Sequence, residues 1–234
     1  MVRTPLVVVP GRFSASASAL RYRALVNAVA LLQGVRAAGG EPVTVLPEAP
    51  GGAVDPHEVG RRLSFADAVL LPGGGDLSPV RHGASAAHGE VYDVDDVQDL
   101  FDLAVAEWAL GENVPLLAVC RGMQVVNVAR GGTLEQHMEV PHRHVRHEVV
   151  VAGGTLLAGL VGTAAKVSCY HHQRIETLGA GLQAVATCAD GGVEAVECSG
   201  RGGYFLGVQW HPEDTASEDS RQAALFGSLV DAAR

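Results

Sequence analysis

The chain has 234 residues, of which 47% are hydrophobic and 18% charged, with 29 glycines; this supports a buried core and excludes a disordered tail or a coiled coil. Its 17 basic and 26 acidic residues leave a formal net charge of −9, a field that repels nucleic acids and acidic membranes. A small anionic substrate is not excluded, because one or two well-placed arginines or N–H groups suffice to hold it.

The apolar run Leu6–Val9 is too short for a signal peptide, and no stretch approaches the ~20 apolar residues of a membrane span. A cytoplasmic protein is therefore expected, with Cys120, Cys169, Cys188 and Cys198 reduced and no C-x-x-C spacing to suggest zinc. Leu6–Val9 reads as a strand buried on both faces, followed by a Pro-Gly break and a small-residue loop, 14–19. Leu25, Val29, Leu32 and Val35 recur at helical spacing and predict a helix over 22–38, stopped by Gly39-Gly40. A second strand (43–46), a short helix (57–63) and a third strand (68–71) follow, the last running into Pro72-Gly73-Gly74-Gly75-Asp76.

Val97, Leu100, Phe101, Ala104, Val105 and Trp108 trace an amphipathic helix leading through Pro115 into the strand 116–119, and a helix from about Gly122 to Ala129 comes directly after. Beyond Gly131-Gly132 the pattern changes to short β segments at 148–151, 166–169, 182–187, 193–197 and 205–209, closed by a helix over 217–233. The alternation predicts an α/β fold: a three-layer α/β/α sandwich with a mostly parallel central sheet, plus short antiparallel β segments in the C-terminal half. Neither an internal repeat nor a linker appears, so residues 1–234 are expected to form a single domain. Ligands are expected beyond the carboxyl ends of the parallel strands.

Cys120 stands at such an end. In Ala118-Val119-Cys120-Arg121-Gly122 a cysteine lies between an apolar strand and a helix, with small residues two positions away on either side. That is the pattern of a nucleophile elbow, and N–H groups at a helix start favour the thiolate that attacks a carbonyl carbon. A lone intracellular cysteine is more often a buried apolar side chain, and that reading is kept for Cys169, Cys188 and Cys198. A thiol nucleophile needs a base and a group to fix the base's tautomer. Trp210-His211-Pro212-Glu213 supplies both where another strand ends, with His211 as base and Glu213 as its orienter. The N–H of Gly74, in the triple-glycine loop, and that of Arg121 are the candidate oxyanion donors.

The strings LLPGGGDLSP, AVCRGMQVVNVARGGTL, YHHQ and GVQWHPE resemble, in that order, the class I glutamine amidotransferase-like superfamily, and most of all its γ-glutamyl-γ-aminobutyrate hydrolase branch. The resemblance implies a flavodoxin-like sandwich, a Cys120, His211, Glu213 triad, oxyanion bonds from Gly74 and Arg121, and a γ-glutamyl thioester hydrolysed by water. It places Gln124 near the glutamyl group and makes His171, His172 and Gln173 further substrate-binding candidates. Two departures stand out: Ala118, where the superfamily often has Gly, and Cys169, where the branch commonly has Ser.

His137, His142, His144 and His147 surround Pro141, but no carboxylate or cysteine accompanies them in sequence, so they are read as a polar connection; neither a metal nor a cofactor is expected. Residues 77–96 are either a surface excursion or a lid. Arg12, Arg81, Arg121 and Arg174 are each candidates to bind a substrate carboxylate. The expected partner is a small γ-glutamyl substrate. Under the alternative reading, a glutaminase subunit, it is also a separate synthetase. A homodimer stays open, and a catalytically silent binding protein is disfavoured by the intact Cys120, His211 and Glu213 set.

Overall fold

A computed structural model describes residues 3–15, 20, 22–200 and 203–234. The strands are β1 (Leu6–Pro10), β2 (Arg12–Ser14), β3 (Ala24–Val26), β4 (Glu41–Val45), β5 (Ala68–Leu71), β6 (Leu116–Val119), β7 (Thr133–Glu135), β8 (His142–Val151), β9 (Ala164–His171), β10 (Arg174–Thr177), β11 (Leu182–Thr187), β12 (Val193–Cys198) and β13 (Phe205–Val208). The helices are α1 (Val29–Ala37), α2 (Pro56–Arg62), α3 (Asp96–Gly111), α4 (Arg121–Ala129), α5 (Leu156–Val161) and α6 (Ser220–Ala232). Among the described residues no helix is long and apolar enough to cross a membrane.

Nine strands form one sheet in the order β4-β1-β5-β6-β13-β12-β11-β8-β9. The first five are mutually parallel. Counted along the chain, these five run 2-1-3-4-5, the flavodoxin-like order. From β13 outward every pairing is antiparallel, so the C-terminal β segments extend the same sheet.

Alternation within the buried strands assigns side chains to two cores. Val7, Val9, Leu70, Leu117 and Val119 face α1, α5 and α6, whereas Val8, Val69, Leu71, Leu116 and Ala118 face α2, α3 and α4. Three helices begin at an aspartate whose carboxylate accepts a bond from a first-turn N–H: Asp55 for α2, Asp95 for α3 and Asp219 for α6.

The helix expected over 22–38 is shorter. Ala24–Val26 instead forms β3, paired with β2, and α1 starts at Val29. Long-range contacts override the local period here: Leu25 fills the space over Gly11, and the Arg23 guanidinium lies 3.8 Å from the centre of the Phe13 ring. The expected loop 14–19 falls largely outside the described residues.

Candidate functional site

The carboxyl ends of four parallel strands converge: β1 leads to Arg12, β5 to the Pro72–Gly75 loop, β6 to Cys120 and β13 to His211. Cys120 is the residue before α4 and has φ 51° and ψ −110°. A side chain rarely adopts this conformation, which costs roughly 1–3 kcal/mol and persists only where the surroundings enforce it. They do so through the Cys120 N–H, which donates to Val208 O at 2.7 Å. Gly122 is pressed against the end of β5, where an added Cβ would lie 2.9 Å from Leu71 Cβ and closer still to its carbonyl oxygen. Cys120 is 5% exposed.

His211 is fixed at its backbone, its N–H donating to Ser168 O at 2.8 Å. Its Nδ1 is 2.8 Å from Glu213 Oε1. Nε2 is then left buried and without an aligned hydrogen bond among the described residues. Burial disfavours the imidazolium, but Cys120 first and then Glu213 outweigh it, and the pKa is pushed up from 6.5 to about 11. Cys120, His211 and Glu213 are thus brought together.

Gly73, one position before the expected donor Gly74, is the glycine against this group: a Cβ on it would lie 3.0 Å from His211 Cε1 and 3.6 Å from Cys120 Cβ. Gly74 lies against Arg12. The Arg12 fork donates to Gly73 O and Pro72 O, each at 2.8 Å, and to Asp102 at 2.6 Å. Arg121 turns away from the sheet to donate to Asp99 and Asp102. Burial and the neighbouring Arg121 lower Arg12 to about 10, so it stays charged at neutral pH. Burial alone would raise Asp102, but the two arginines outweigh it and hold its carboxyl below the ordinary 3.8. This buried network fixes the backbone on both sides of the nucleophile.

The YHHQ segment ends β9 beside Cys120, with Tyr170 O 4.0 Å from the Cys120 Sγ. Buried Gln124 donates to Gln173 O at 3.1 Å and to Gln209 Oε1 at 3.2 Å, and Gln209 Nε2 lies 3.6 Å from the Cys120 Sγ. His171 Nδ1 contacts Gln173 O at 3.0 Å. His172 faces Asp76 at 3.0 Å and stacks on Tyr92; burial raises the Asp76 carboxyl and lowers the His172 imidazole. Most of the 77–96 excursion is closed off at its base, since Asp76 N–H donates to Tyr92 O and Tyr92 N–H to the Asp76 carboxylate.

All four arginines considered for a substrate carboxylate have acidic partners: Arg81 pairs with Asp96, Arg174 with Glu135 and Asp190, and Arg12 and Arg121 as above. Arg12 nonetheless borders a cavity of about 370 Å³, with Leu31, Gly73, Tyr170, His211 and Glu213. That volume lies within the roughly 300–1,000 Å³ of small-molecule sites. Gln209, Asp76, Asp99 and Asp102 were not found from sequence. Gln209 lies inside the GVQWHPE string and could have been read from its position two residues before His211; the aspartates carry no such local signal.

Two of the histidines around Pro141, His142 and His147, are joined in space by acid and thiol groups from distant parts of the chain. His142, His147, Cys188 and Glu194 offer ligand atoms all within 4.8 Å of one another, as do Cys169, His171 and Glu194. These residues are able to hold a metal ion, which the sequence reading did not expect.

Comparison with known proteins identifies relatives of the chain. The family described as Peptidase C26 matches residues 5–213. The "Putative glutamine amidotransferase Rv2859c" of Mycobacterium tuberculosis is 41% identical over 211 residues, 86% of this chain and 65% of that protein, so the chain spans about two thirds of that relative's length. The "Gamma-glutamyl-gamma-aminobutyrate hydrolase PuuD" of Escherichia coli is 32% identical over 214 residues, 83% of this chain and 81% of that one. A crystal structure titled as a "putative gmp synthase subunit a protein" from Thermoplasma acidophilum superposes with a TM-score of 0.66 over 99% of this chain and 96% of that chain, at 16% identity, and shows the likeness of fold.

Proposed function

The chain belongs to the Peptidase C26 family, and from that premise we propose that it is a cysteine-dependent hydrolase that cleaves the γ-glutamyl amide bond of a small γ-glutamyl amine or amino acid and releases glutamate. The observation that carries this reading is the Cys120, His211, Glu213 constellation: a strained cysteine at a strand end, beside a raised imidazole whose far nitrogen is held by a carboxylate.

In this reading His211 as imidazolium favours the Cys120 thiolate, which attacks the γ-carbonyl carbon. The oxyanion that forms is met, in the same reading, by the N–H groups of Gly74 and Arg121; the Arg12 bond to Gly73 O and the Arg121 bond to Asp102, which hold the residues beside them, support that assignment. His211 then protonates the departing amine, leaving a γ-glutamyl thioester on Cys120, and afterwards takes a proton from the water that hydrolyses it. Gln124, His171, His172 and Gln173 line the glutamyl side. No step requires a metal.

A preference for small γ-glutamyl amines is supported by the hydrolase similarity. The relative with an amidotransferase name supports a second reading, a glutaminase subunit that hands ammonia to a synthetase. The test is glutamate release from γ-glutamyl-γ-aminobutyrate, other γ-glutamyl amines and glutamine, with Cys120→Ala as blank. Preference for a γ-glutamyl amine establishes the hydrolase. Activity on glutamine alone, or none without an added synthetase, replaces it with the second reading.

A further inference from the structure

Behind the nucleophile, on the antiparallel half of the sheet, Glu194 of β12 points into a nest of imidazoles and thiols. It is 1% exposed and has no arginine or lysine among its close partners in the described residues. Around Glu194 Oε1 lie His142 Nδ1 at 3.4 Å, His147 Nε2 at 3.6 Å and His171 Nε2 at 3.7 Å. The Cys169 Sγ is 3.5 Å from His147 Nε2 and 3.9 Å from Glu194 Oε2. Cys188 enters from the turn between β11 and β12, where its Sγ also contacts Asp190.

These spacings are informative. The three imidazole-to-carboxylate spacings exceed the roughly 2.7–3.2 Å of N–H···O bonds. Zinc bonds to nitrogen and oxygen of about 2.0–2.2 Å place the ligands of a tetrahedron about 3.4 Å apart, somewhat more where sulfur is involved. Two imidazole nitrogens in the nest, His142 Nδ1 and His171 Nε2, are buried with no hydrogen-bond partner among the described residues. His171 as a whole is only 6% exposed. A buried carboxylate faced by imidazole nitrogens without aligned hydrogen bonds is a donor set suited to a cation.

We propose that His142, His147, Cys188 and Glu194 form a binding site for one thiophilic divalent cation of the zinc class, with Cys169 and His171 closing its inner wall. Two imidazoles, a carboxylate and a thiol suit such an ion in preference to magnesium or calcium, which take oxygen ligands. Coordination releases the Cys188 thiol proton to solvent and leaves a thiolate on the metal. The ion joins β8, β12 and the β11–β12 turn. Glu194 O accepts from Gln209 N–H at 2.8 Å, and the Gln209 side chain reaches the Cys120 Sγ. The site therefore braces the wall of the nucleophile without taking part in the chemistry; none of its four ligands belongs to the proposed substrate site, which it meets at His171.

The test uses the full chain carrying Cys120→Ala, so that the Cys120 and His211 pair cannot itself capture metal. The chelator-stripped protein is titrated with Zn²⁺ against a chromophoric chelator and separately with Co²⁺. One equivalent of Zn²⁺ should bind and raise the melting temperature, and the Co²⁺ adduct should show an intense near-ultraviolet thiolate-to-cobalt band that Cys188→Ser removes. His147→Ala, at a part-exposed position and with folding checked by circular dichroism, should weaken binding by about a hundredfold. Absence of stoichiometric binding, equal affinity in His147→Ala, or a band that survives Cys188→Ser would overturn the site as assigned.

Discussion

Arg12 and Asp102, ninety residues apart in the chain, meet at 2.6 Å, and the same guanidinium holds the carbonyls of Pro72 and Gly73. Asp102 is fully buried and also receives Arg121, the residue after the nucleophile. Replacing Asp102 by Asn leaves two buried guanidinium groups with Asp99 as their one remaining carboxylate. The expected cost is about 3–5 kcal/mol of folding stability, read from urea unfolding. Arg12→Lys keeps the charge and loses the fork, so stability should fall less. Glutamate release should still drop about a hundredfold, since a displacement near 1 Å at the site suffices for that.

Gly122 offers a sharper test of the elbow. In an ordinary helix Gly→Ala is favourable by about 1 kcal/mol. Here the new methyl group would be driven into Leu71 at the end of β5. Gly122→Ala is therefore expected to lower stability by about 1–3 kcal/mol and to reduce activity severely, because α4 must shift and carry Cys120 with it. A variant more stable than the parent in thermal melting would show that the close approach is not present.

How much of this was legible in the sequence depended on how local the signal was. Cys120 and His211 each sit where an apolar strand stops, which one stretch of chain reveals, and the β-α alternation fixed the parallel half of the sheet. Asp99 and Asp102 read only as the polar face of the amphipathic α3; their pairing with Arg12 and Arg121 requires β1, α3 and α4 to be brought together. Ala24–Val26 carried helical spacing, yet β2 lay across the chain to pair with it. Glu194 looked like a polar position in a short strand, and no spacing links it to His142, His147 and Cys188, which reach it across three elements.

The pH dependence of stability follows from His211. Its folded-state pKa of about 11 lies above the ordinary 6.5, because Cys120 and Glu213 outweigh burial. A raised value stabilises the fold fully below pH 6.5, and the contribution is lost as pH rises through about 11. The melting temperature should decline across that window by more in the parent than in Cys120→Ala, where the strongest of the favourable influences is gone. A ring-proton NMR titration should place the His211 midpoint lower in Cys120→Ala. An unchanged midpoint would show that thiol and imidazole do not interact.

Glu213 completes the constellation, and its substitution separates orientation from reaction. The 2.8 Å contact to His211 Nδ1 keeps the proton on that nitrogen and directs Nε2 towards the thiol. Cys120→Ala removes the attacking atom and should cut activity by more than about ten-thousandfold, with His211→Asn close behind. Glu213→Gln retains an oxygen able to accept the Nδ1 proton but withdraws the charge that stabilises the imidazolium. Its loss should be smaller than that of Cys120→Ala and should appear mainly in kcat, since Gln keeps the size of the Glu213 side chain where it borders the cavity. The His211 midpoint should fall as well. A Glu213→Gln enzyme as inactive as Cys120→Ala would mean that the carboxylate takes part in the chemistry; one as active as the parent would mean that Pro212 and the backbone bond to Ser168 O already hold the imidazole in place.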